Sequence, residues 1–275
     1  MSAPLIVTAA PNGARLTKRD HPNLPLTVAE TAAEAARCRA AGAAVLHAHV
    51  RDQDGAHVLD PGLYRELIQA VREISGDMLV QITSEAVGRY SPAEQAATVF
   101  ASRPEAASVT LREMWPANSP DEERRARDFY ARAKAEGIHV QHILYAPPDL
   151  ARFADACTRK IVPEGRRDVL FVLGRYAASL EAEPGELDGF IGADLSAVTG
   201  WTVCAFGRKG YDCLVRAIPL GGHVRVGLEN NLHMRDGSIA PDSAALVSEI
   251  ADAAVAAGRG LASPQAAREI LGIGD

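Results

Sequence analysis

Short runs of apolar residues alternate along the chain with longer segments in which apolar and polar residues are mixed. Eight of the short runs are five to seven residues long and too apolar to have one side in water, which is typical of strands buried on both faces. We therefore predict strands at 5–9, 44–50, 78–83, 107–111, 140–144, 169–173, 201–205 and 224–228.

The longer segments are rich in alanine and glutamate and predict helices at 27–41, 61–74, 91–101, 119–136, 147–159, 186–197, 208–218 and 241–257. Several of them begin with helix-capping residues beside a proline, as in Ser-Pro at 91–92 and 119–120 and Pro-Asp at 241–242. Glycines at 42, 137 and 258 follow predicted helix ends. The last segment, SPQAAREILG at 263–272, predicts a C-terminal helix that Ser263 caps.

Eight strands, each followed by a helix, predict an α/β protein whose parallel sheet closes into a (β/α)₈ barrel, the TIM-barrel fold. The 275 residues suit one such barrel, and no repeat or linker divides them, so we expect a single domain over 1–275 with a C-terminal helix. The alternative is an open, doubly wound sheet. It is less favoured because no Gly-x-Gly-x-x-Gly follows the first strand.

Composition narrows the function classes. The net charge of −6 argues against a nucleic-acid-binding surface, and no apolar run is long enough for a membrane span. The N-terminus lacks the charged and apolar regions of a signal peptide. The four cysteines form neither a zinc ribbon nor a disulfide framework, which indicates reduced thiols in a cytoplasmic protein.

Two histidines lie one residue apart in the stretch AAVLHAHVRD at 43–52, within the second predicted strand. Because side chains alternate along a strand, His47 and His49 share one face, with Cβ atoms roughly 7 Å apart. Reactive groups of this barrel lie at the C-terminal ends of its strands, so both imidazoles are expected at its mouth. The pair predicts a metal site, although histidines satisfied by backbone and water remain the alternative.

The eighth predicted strand, within GGHVRVGLENN at 221–231, carries charges on one face only. Its valines and Leu228 belong against the outer helices, so Arg225 and Glu229 are expected to point into the barrel. Buried ions are costly unless they are compensated, and a metal bound by Glu229 explains the pair better than a structural ion pair. Glu85 and Glu113, which follow strands three and four, are the other candidates for the third ligand.

Other residues carry weaker signals. Gly207 and Arg208 precede a predicted helix, where an anion such as a cofactor phosphate could bind, although a plain loop is equally consistent. Arg15 and Arg112, in the loops after strands one and four, could bind a substrate carboxylate, and Asn12 is a further candidate substrate contact. His57 and His233 are interpreted as loop residues.

Taken in order, TAAPNGA (8–14), HPNLPLT (21–27), VLHAHVRD (45–52), FVLG (171–174), FGR (206–208), GGHVRVGLENN (221–231) and SPQAAREILG (263–272) resemble the beta-keto acid cleavage enzyme family. The resemblance covers nearly the whole chain. It implies a zinc-dependent barrel, usually a homotetramer, that condenses a beta-keto acid with acetyl-CoA to give acetoacetate and a new acyl-CoA.

By position, the resemblance makes His47, His49 and Glu229 the ligands of one zinc ion per chain and Arg225 the catalytic arginine. Thr83 falls where the family often has a small hydroxyl residue. The family commonly has an aspartate base directly after the zinc-binding glutamate, but this chain has Asn230, and a carboxamide cannot accept a proton at neutral pH. Glu85 or Glu113 is the expected replacement.

The family's founding 3-keto-5-aminohexanoate cleavage enzyme has an acidic residue, which binds the substrate ammonium, where this chain has Arg15. We therefore expect another substrate, such as a keto acid with a second carboxylate. Two other functions stay open. One is a metal-dependent hydrolase on the same barrel, although such enzymes would have their paired histidines on strand one. The other is a catalytically impaired family member that binds metal and acyl-CoA.

Overall fold

The structure is a computed structural model that describes residues 3–116, 119–176 and 180–274. In these residues the strands, numbered in chain order, are β1 (Val7–Ala9), β2 (Val45–Ala48), β3 (Val50–Arg51), β4 (His57–Val58), β5 (Leu79–Thr83), β6 (Ala106–Thr110), β7 (His139–Leu144), β8 (Asp168–Leu173), β9 (Gly200–Ala205) and β10 (His223–Val226). All but β3 and β4 form a closed parallel barrel, because β10 pairs with both β9 and β1. The predicted TIM barrel is confirmed.

The helices are α1 (Val28–Ala40), α2 (Pro61–Ser75), α3 (Pro92–Ser102), α4 (Leu111–Met114), α5 (Pro120–Ala135), α6 (Pro148–Thr158), α7 (Glu186–Ile191), α8 (Gly210–Ala217), α9 (Ser243–Ala256) and α10 (Pro264–Leu271). Ser91 and Ser119 cap α3 and α5, each within a capping box, and Ser263 caps α10. Among the described helices, none has both the length and the apolar character needed to cross a membrane.

The barrel is closed at one end and open at the other. Residues at or just before the start of several strands, such as Ile6, Ala44 and Leu79, pack against Ala267 and Leu271 of α10. The C-terminal helix therefore covers the N-terminal ends of the strands with apolar side chains. Polar and charged side chains collect at the opposite end, which is where active sites of this fold lie.

Several predicted boundaries were wrong. The second strand ends at Ala48, and the chain then forms a β3–β4 hairpin, so His57 lies in a strand rather than in a loop. The Arg51 side chain fixes this hairpin against the loop after β1, because its guanidinium donates to the carbonyl oxygens of Gly13, Leu16 and Gly55. The helix after β8 stops at Ile191 instead of residue 197. An additional short helix, α4, follows β6 directly.

Candidate metal centre and active-site cavity

Three side chains converge at the open end of the barrel. His47 lies on β2, His49 follows that strand, and Glu229 follows β10. The two Nε2 atoms are 3.3 Å apart, and they lie 3.6 and 3.7 Å from the carboxylate oxygens of Glu229. Together these atoms form a group that could hold a metal ion.

The barrel interior orients the His47 ring. Its Nδ1 is 2.8 Å from Oε1 of Gln81 on β5, and because an amide oxygen can only accept, Nδ1 carries the proton. The Nε2 lone pair therefore points towards His49 and Glu229. Gln81 is held in turn, since its Nε2 donates to Gln141, whose own Nε2 donates to Thr202.

His49 is positioned through its backbone. The carboxamide of Asn12 accepts the N–H of His49 at 3.2 Å and donates to its carbonyl oxygen at 2.9 Å. The His49 ring packs edge to face on His57, with the centroids 4.9 Å apart. The Asn12 side chain, which is the predicted substrate contact, thus positions the backbone of this histidine.

The electrostatics of the three groups favour a bound cation. Burial lowers the pKa values of His47 and His49 well below their usual range, so both rings are neutral and able to coordinate. Burial also raises the pKa of Glu229, against the opposing effect of the Arg225 guanidinium. Oε2 of Glu229 is buried and has no hydrogen-bond partner among the described residues. Such an oxygen is costly to bury unless a ligand occupies it.

Arg225 on β10 approaches the triad from inside the barrel. Its guanidinium is buried, and one terminal nitrogen donates to Oε1 of Glu229 at 3.1 Å. Its Nε has no partner within the part of the chain that the structure describes. The arginine can therefore hold Glu229 and still offer a donor to another anionic group.

Two glycines allow this close approach. Gly13 has a φ of +59°, and a Cβ there would overlap Cγ of Glu229 and lie 3.2 Å from its Cβ and Cδ. Gly227 has a φ of +149°, and a Cβ there would overlap the carbonyl of Ala10. The two loops that bring Glu229 to the histidines can thus contact one another only because both positions lack side chains.

A cavity of about 310 Å³ opens beside Glu229. Six predicted site residues besides Glu229 line it: Asn12, Arg15, Glu85, Gly207, Arg208 and Asn230. Its other lining residues include four apolar side chains, Leu16, Leu180, Phe206 and Leu232, together with Arg175 and Glu181. The cavity is therefore partly apolar but carries several charges.

Glu85 is the candidate base that the structure brings to the cavity. Its carboxylate lies 3.6 Å from the Arg15 guanidinium, and its side chain is 23% exposed. Its N–H donates to Oγ1 of Thr83, and its carbonyl oxygen accepts from Nε2 of His57. Thr83 is buried and does not line this cavity, and its hydroxyl contacts Glu85, which does.

Asn230 occupies the position where the resemblance predicts a basic aspartate. Its side chain is buried, and neither its amide nitrogen nor its oxygen has a hydrogen-bond partner among the described residues. Its main-chain carbonyl oxygen accepts a hydrogen bond from the N–H of Gly207. A carboxamide left unpaired at a cavity wall is suited to bind a polar group of a substrate.

The loop at Gly207 and Arg208 already holds an anionic group of the protein. The Arg208 N–H donates to the Glu181 carboxylate at 2.7 Å, and a Cβ at Gly207 would overlap that carboxylate. The predicted anion site at these backbone amides is therefore occupied by Glu181. What the loop still presents to the cavity mouth is the exposed Arg208 side chain.

Arg112 and Glu113 also lie outside this cavity. Arg112 forms an ion pair of 2.6 Å with Asp149 and stacks near the ring of Tyr145, which holds it away from the cavity. Glu113 accepts from the N–H of Ala86 and the amide of Gln95. Burial raises the pKa of Glu113 to about 7. Both residues lie on α4, the helix that the sequence analysis did not predict.

Four residues of the site were missed by the sequence analysis: Gln81, Arg51, His57 and Arg175. The role of Gln81 could have been inferred, because a glutamine inside an apolar strand has a buried amide that needs hydrogen-bond partners. The roles of the other three depend on loop conformations, and no spacing in the sequence indicates them.

Comparison with known proteins identifies relatives along almost the whole chain. The sequence model for "beta-keto acid cleavage enzyme" matches residues 4–273. The 3-keto-5-aminohexanoate cleavage enzyme of Acetoanaerobium sticklandii is 31% identical over 272 residues, which are 98% of each protein. The 3-oxoadipate:acetyl-CoA acetyltransferase of Cupriavidus necator is 27% identical over 278 residues, which are 99% of this chain and 96% of that protein.

Solved structures give the same fold. The binary complex of ObcA with oxaloacetate superposes with a TM-score of 0.75 at 18% sequence identity, over 92% of this chain and 68% of that chain. The apo structure of ObcA gives a TM-score of 0.74, also at 18% identity, over 92% of this chain and 66% of that chain. This chain thus spans about two thirds of the length of ObcA, and the likeness supports the barrel architecture alone.

Proposed function

Since the chain belongs to the beta-keto acid cleavage enzyme family, we propose that it condenses a beta-keto acid with acetyl-CoA, giving acetoacetate and a new acyl-CoA. The observation that carries this proposal is the convergence of His47, His49 and Glu229 beside a cavity that also contains Glu85 and Asn230. Relatives named as acetyl-CoA-dependent acetyltransferases and cleavage enzymes support the same reaction class.

His47, His49 and Glu229 would hold one zinc ion. Donor atoms at zinc bond lengths of about 2.0–2.1 Å in a tetrahedral arrangement are roughly 3.3–3.4 Å apart, close to the 3.3–3.7 Å observed. When bound, the ion would supply Lewis-acid polarisation of the keto oxygen. Gln81 keeps the donor nitrogen of His47 unprotonated, which is the requirement for coordination.

Glu85 would act as the base that removes the proton needed to form the carbon nucleophile. It lines the cavity, whereas Glu113 does not, and Asn230 cannot accept a proton. The Arg15 guanidinium lies 3.6 Å from the Glu85 carboxylate and would hold it in place at the cavity wall. Arg225 would stabilise negative charge as it develops on the reacting groups, through the Nε–H that has no hydrogen-bond partner among the described residues.

Asn230 would bind a polar atom of the substrate through its unpaired carboxamide. Arg208, at the cavity mouth, would contact a phosphate of acetyl-CoA through its side chain, because Glu181 occupies its backbone N–H. We further propose that the enzyme is a cytoplasmic homotetramer. The four cysteines are all free and buried, which supports a reducing compartment.

A coupled acetoacetate assay tests the function. Purified protein, acetyl-CoA and a panel of beta-keto acids should yield acetoacetate together with the new acyl-CoA, and a chelator should abolish turnover. Glu85→Gln should lower kcat by at least about 100-fold, the usual contribution of a general base. Glu113→Gln is the matched control and should retain most of the activity.

Asn230 supports a second candidate, the catalytically impaired member of the family. In that case wild-type protein would bind acyl-CoA but turn over no keto acid, and Asn230→Asp would restore turnover. Ester or amide hydrolysis without CoA would instead support the metal-dependent hydrolase. Either result would overturn the proposed reaction.

A further inference from the structure

The cavity contains three carboxylates, and each is already engaged by the protein. Glu229 lies between the two histidines and Arg225, Glu85 faces Arg15, and Glu181 accepts the N–H of Arg208. Of the cavity arginines, Arg15 is tied to Glu85 and its side chain is 61% exposed. The charge available for recognising a substrate must therefore come from elsewhere in the lining.

Arg175 supplies such a charge. It follows β8 and lines the cavity, it is half-buried, and no carboxylate lies within ion-pair distance of it among the described residues. Its guanidinium stacks over the ring of Phe206 with the carbon atom 5.4 Å from the ring centroid. Arginine can stack on an aromatic ring and still donate hydrogen bonds in its own plane.

The surroundings of Arg175 restrict what it can bind. The same cavity is also lined by Leu180 and Leu232, which suit a short hydrocarbon chain. An unpaired, half-buried guanidinium attracts a carboxylate and disfavours an ammonium group. Arg208 is more exposed than Arg175, which places it better for a coenzyme phosphate at the mouth than for the keto acid.

We propose that Arg175 determines substrate specificity by binding a second carboxylate, at the far end of the beta-keto acid. This inference rests on the proposed function. It assigns the recognition of the distal carboxylate to Arg175 rather than to Arg15 or Arg112, which the sequence had suggested. The substrate class is thus a short-chain beta-keto dicarboxylate.

The test uses three keto acids of matched chain length that end in a carboxylate, its neutral methyl ester or an amino group. Wild-type enzyme should have its highest kcat/KM for the carboxylate. Arg175→Met should lower that value roughly 10- to 100-fold, as expected for one hydrogen-bonded charge, and should change the ester value less than about threefold. Arg175→Lys keeps the charge but not the paired donors, so its kcat/KM for the carboxylate substrate should lie between those of wild type and Arg175→Met.

Arg235→Met is the matched control. Arg235 also stacks on an aromatic ring, 5.6 Å from the centroid of Tyr211, but it does not line the cavity, so this variant should match wild type on every substrate. A rise in the KM for acetyl-CoA without a change for the keto acids would show that Arg175 serves the coenzyme. That result would overturn the inference, as would a wild-type preference for the ester or the amino compound.

Calorimetric titration with the keto dicarboxylate separates this inference from the proposed function. If wild-type protein turned over no keto acid at all, the proposed function would fail. Weaker binding of the dicarboxylate by Arg175→Met than by wild type would still support the role of Arg175. Equal binding by the two proteins would refute it. Thermal unfolding of each variant checks that all of them fold.

Discussion

Replacing Gly13 with alanine should damage the metal centre without touching any of its ligands. The new Cβ would overlap Cγ of Glu229, and ordinary contact distances begin near 3.4 Å, so the glutamate side chain must move by about 1 Å. Since a zinc–oxygen bond is only about 2.0–2.2 Å long, such a shift removes one of three ligands. We expect metal affinity to fall at least about 100-fold, the upper end of what an outer-shell change costs.

Gly55→Ala is the matched control. Gly55 also has a left-handed backbone, with a φ of +79°, but its added Cβ would meet only Leu26 at an ordinary 3.5 Å. Both alanines therefore carry a backbone strain of about 1 kcal/mol, which lowers Tm by roughly 2–4 °C in a chain of this size. Only Gly13→Ala should also lose metal.

Metal affinity is measured by competition with a chromogenic chelator, and strain by thermal unfolding of the metal-free proteins. If Gly13→Ala binds metal as tightly as Gly55→Ala, the added Cβ does not displace Glu229 and the prediction is wrong. Equal losses of affinity in both variants would refute it too, because they would trace the effect to backbone strain rather than to displacement of Glu229.

Three further predictions follow from the surroundings of the site. Gln81→Leu removes the acceptor for the Nδ1–H of His47 and should weaken metal binding about 10- to 100-fold in chelator competition. Gln141→Leu, one step farther along the same chain of hydrogen bonds, should lower Tm but leave metal affinity unchanged. Burial raises the pKa of Glu113 in the folded protein from 4.5 to about 7, so as pH rises the unfolded chain loses this proton before the folded protein does. The free energy of unfolding should therefore fall by up to about 3 kcal/mol between pH 4.5 and about 7. Denaturant titrations of Glu113→Gln should show a flatter dependence on pH. Arg51→Met removes the donor for the carbonyl oxygens of Gly13 and Leu16, in the loop after β1, and of Gly55, in the β3–β4 hairpin. It should lower the free energy of unfolding by about 1–3 kcal/mol in the same titrations, and unchanged stability would show that these hydrogen bonds are dispensable.

The barrel was predictable because its determinants are local. Apolar runs of strand length that alternate with capped, alanine-rich helices leave few other arrangements, and the closed eight-stranded sheet confirms that prediction. The meeting of His47, His49 and Glu229 was predictable for a related reason. Alternation along a strand sets which way each side chain points, and the fold brings all strand ends to one mouth.

The cavity wall was not predictable in the same way, because its residues come from loops. Arg112 resembled a substrate-binding residue, yet the short helix α4 and the carboxylate of Asp149 hold it outside the cavity. Arg175 carries no sequence signal, but a turn after β8 places it in the lining. The anion-binding appearance of Gly207 and Arg208 was misleading, because Glu181 occupies the amide that an external anion would need.

Metal analysis of purified protein shows whether His47, His49 and Glu229 bind one divalent ion. Wild type and the Asn230→Asp variant should each contain about one zinc per chain, and variants with Glu229 changed to glutamine or either histidine changed to alanine should contain almost none. Wild-type protein that folds and holds no stoichiometric metal after incubation with zinc, or a His47→Ala variant that retains the ion, would contradict this assignment.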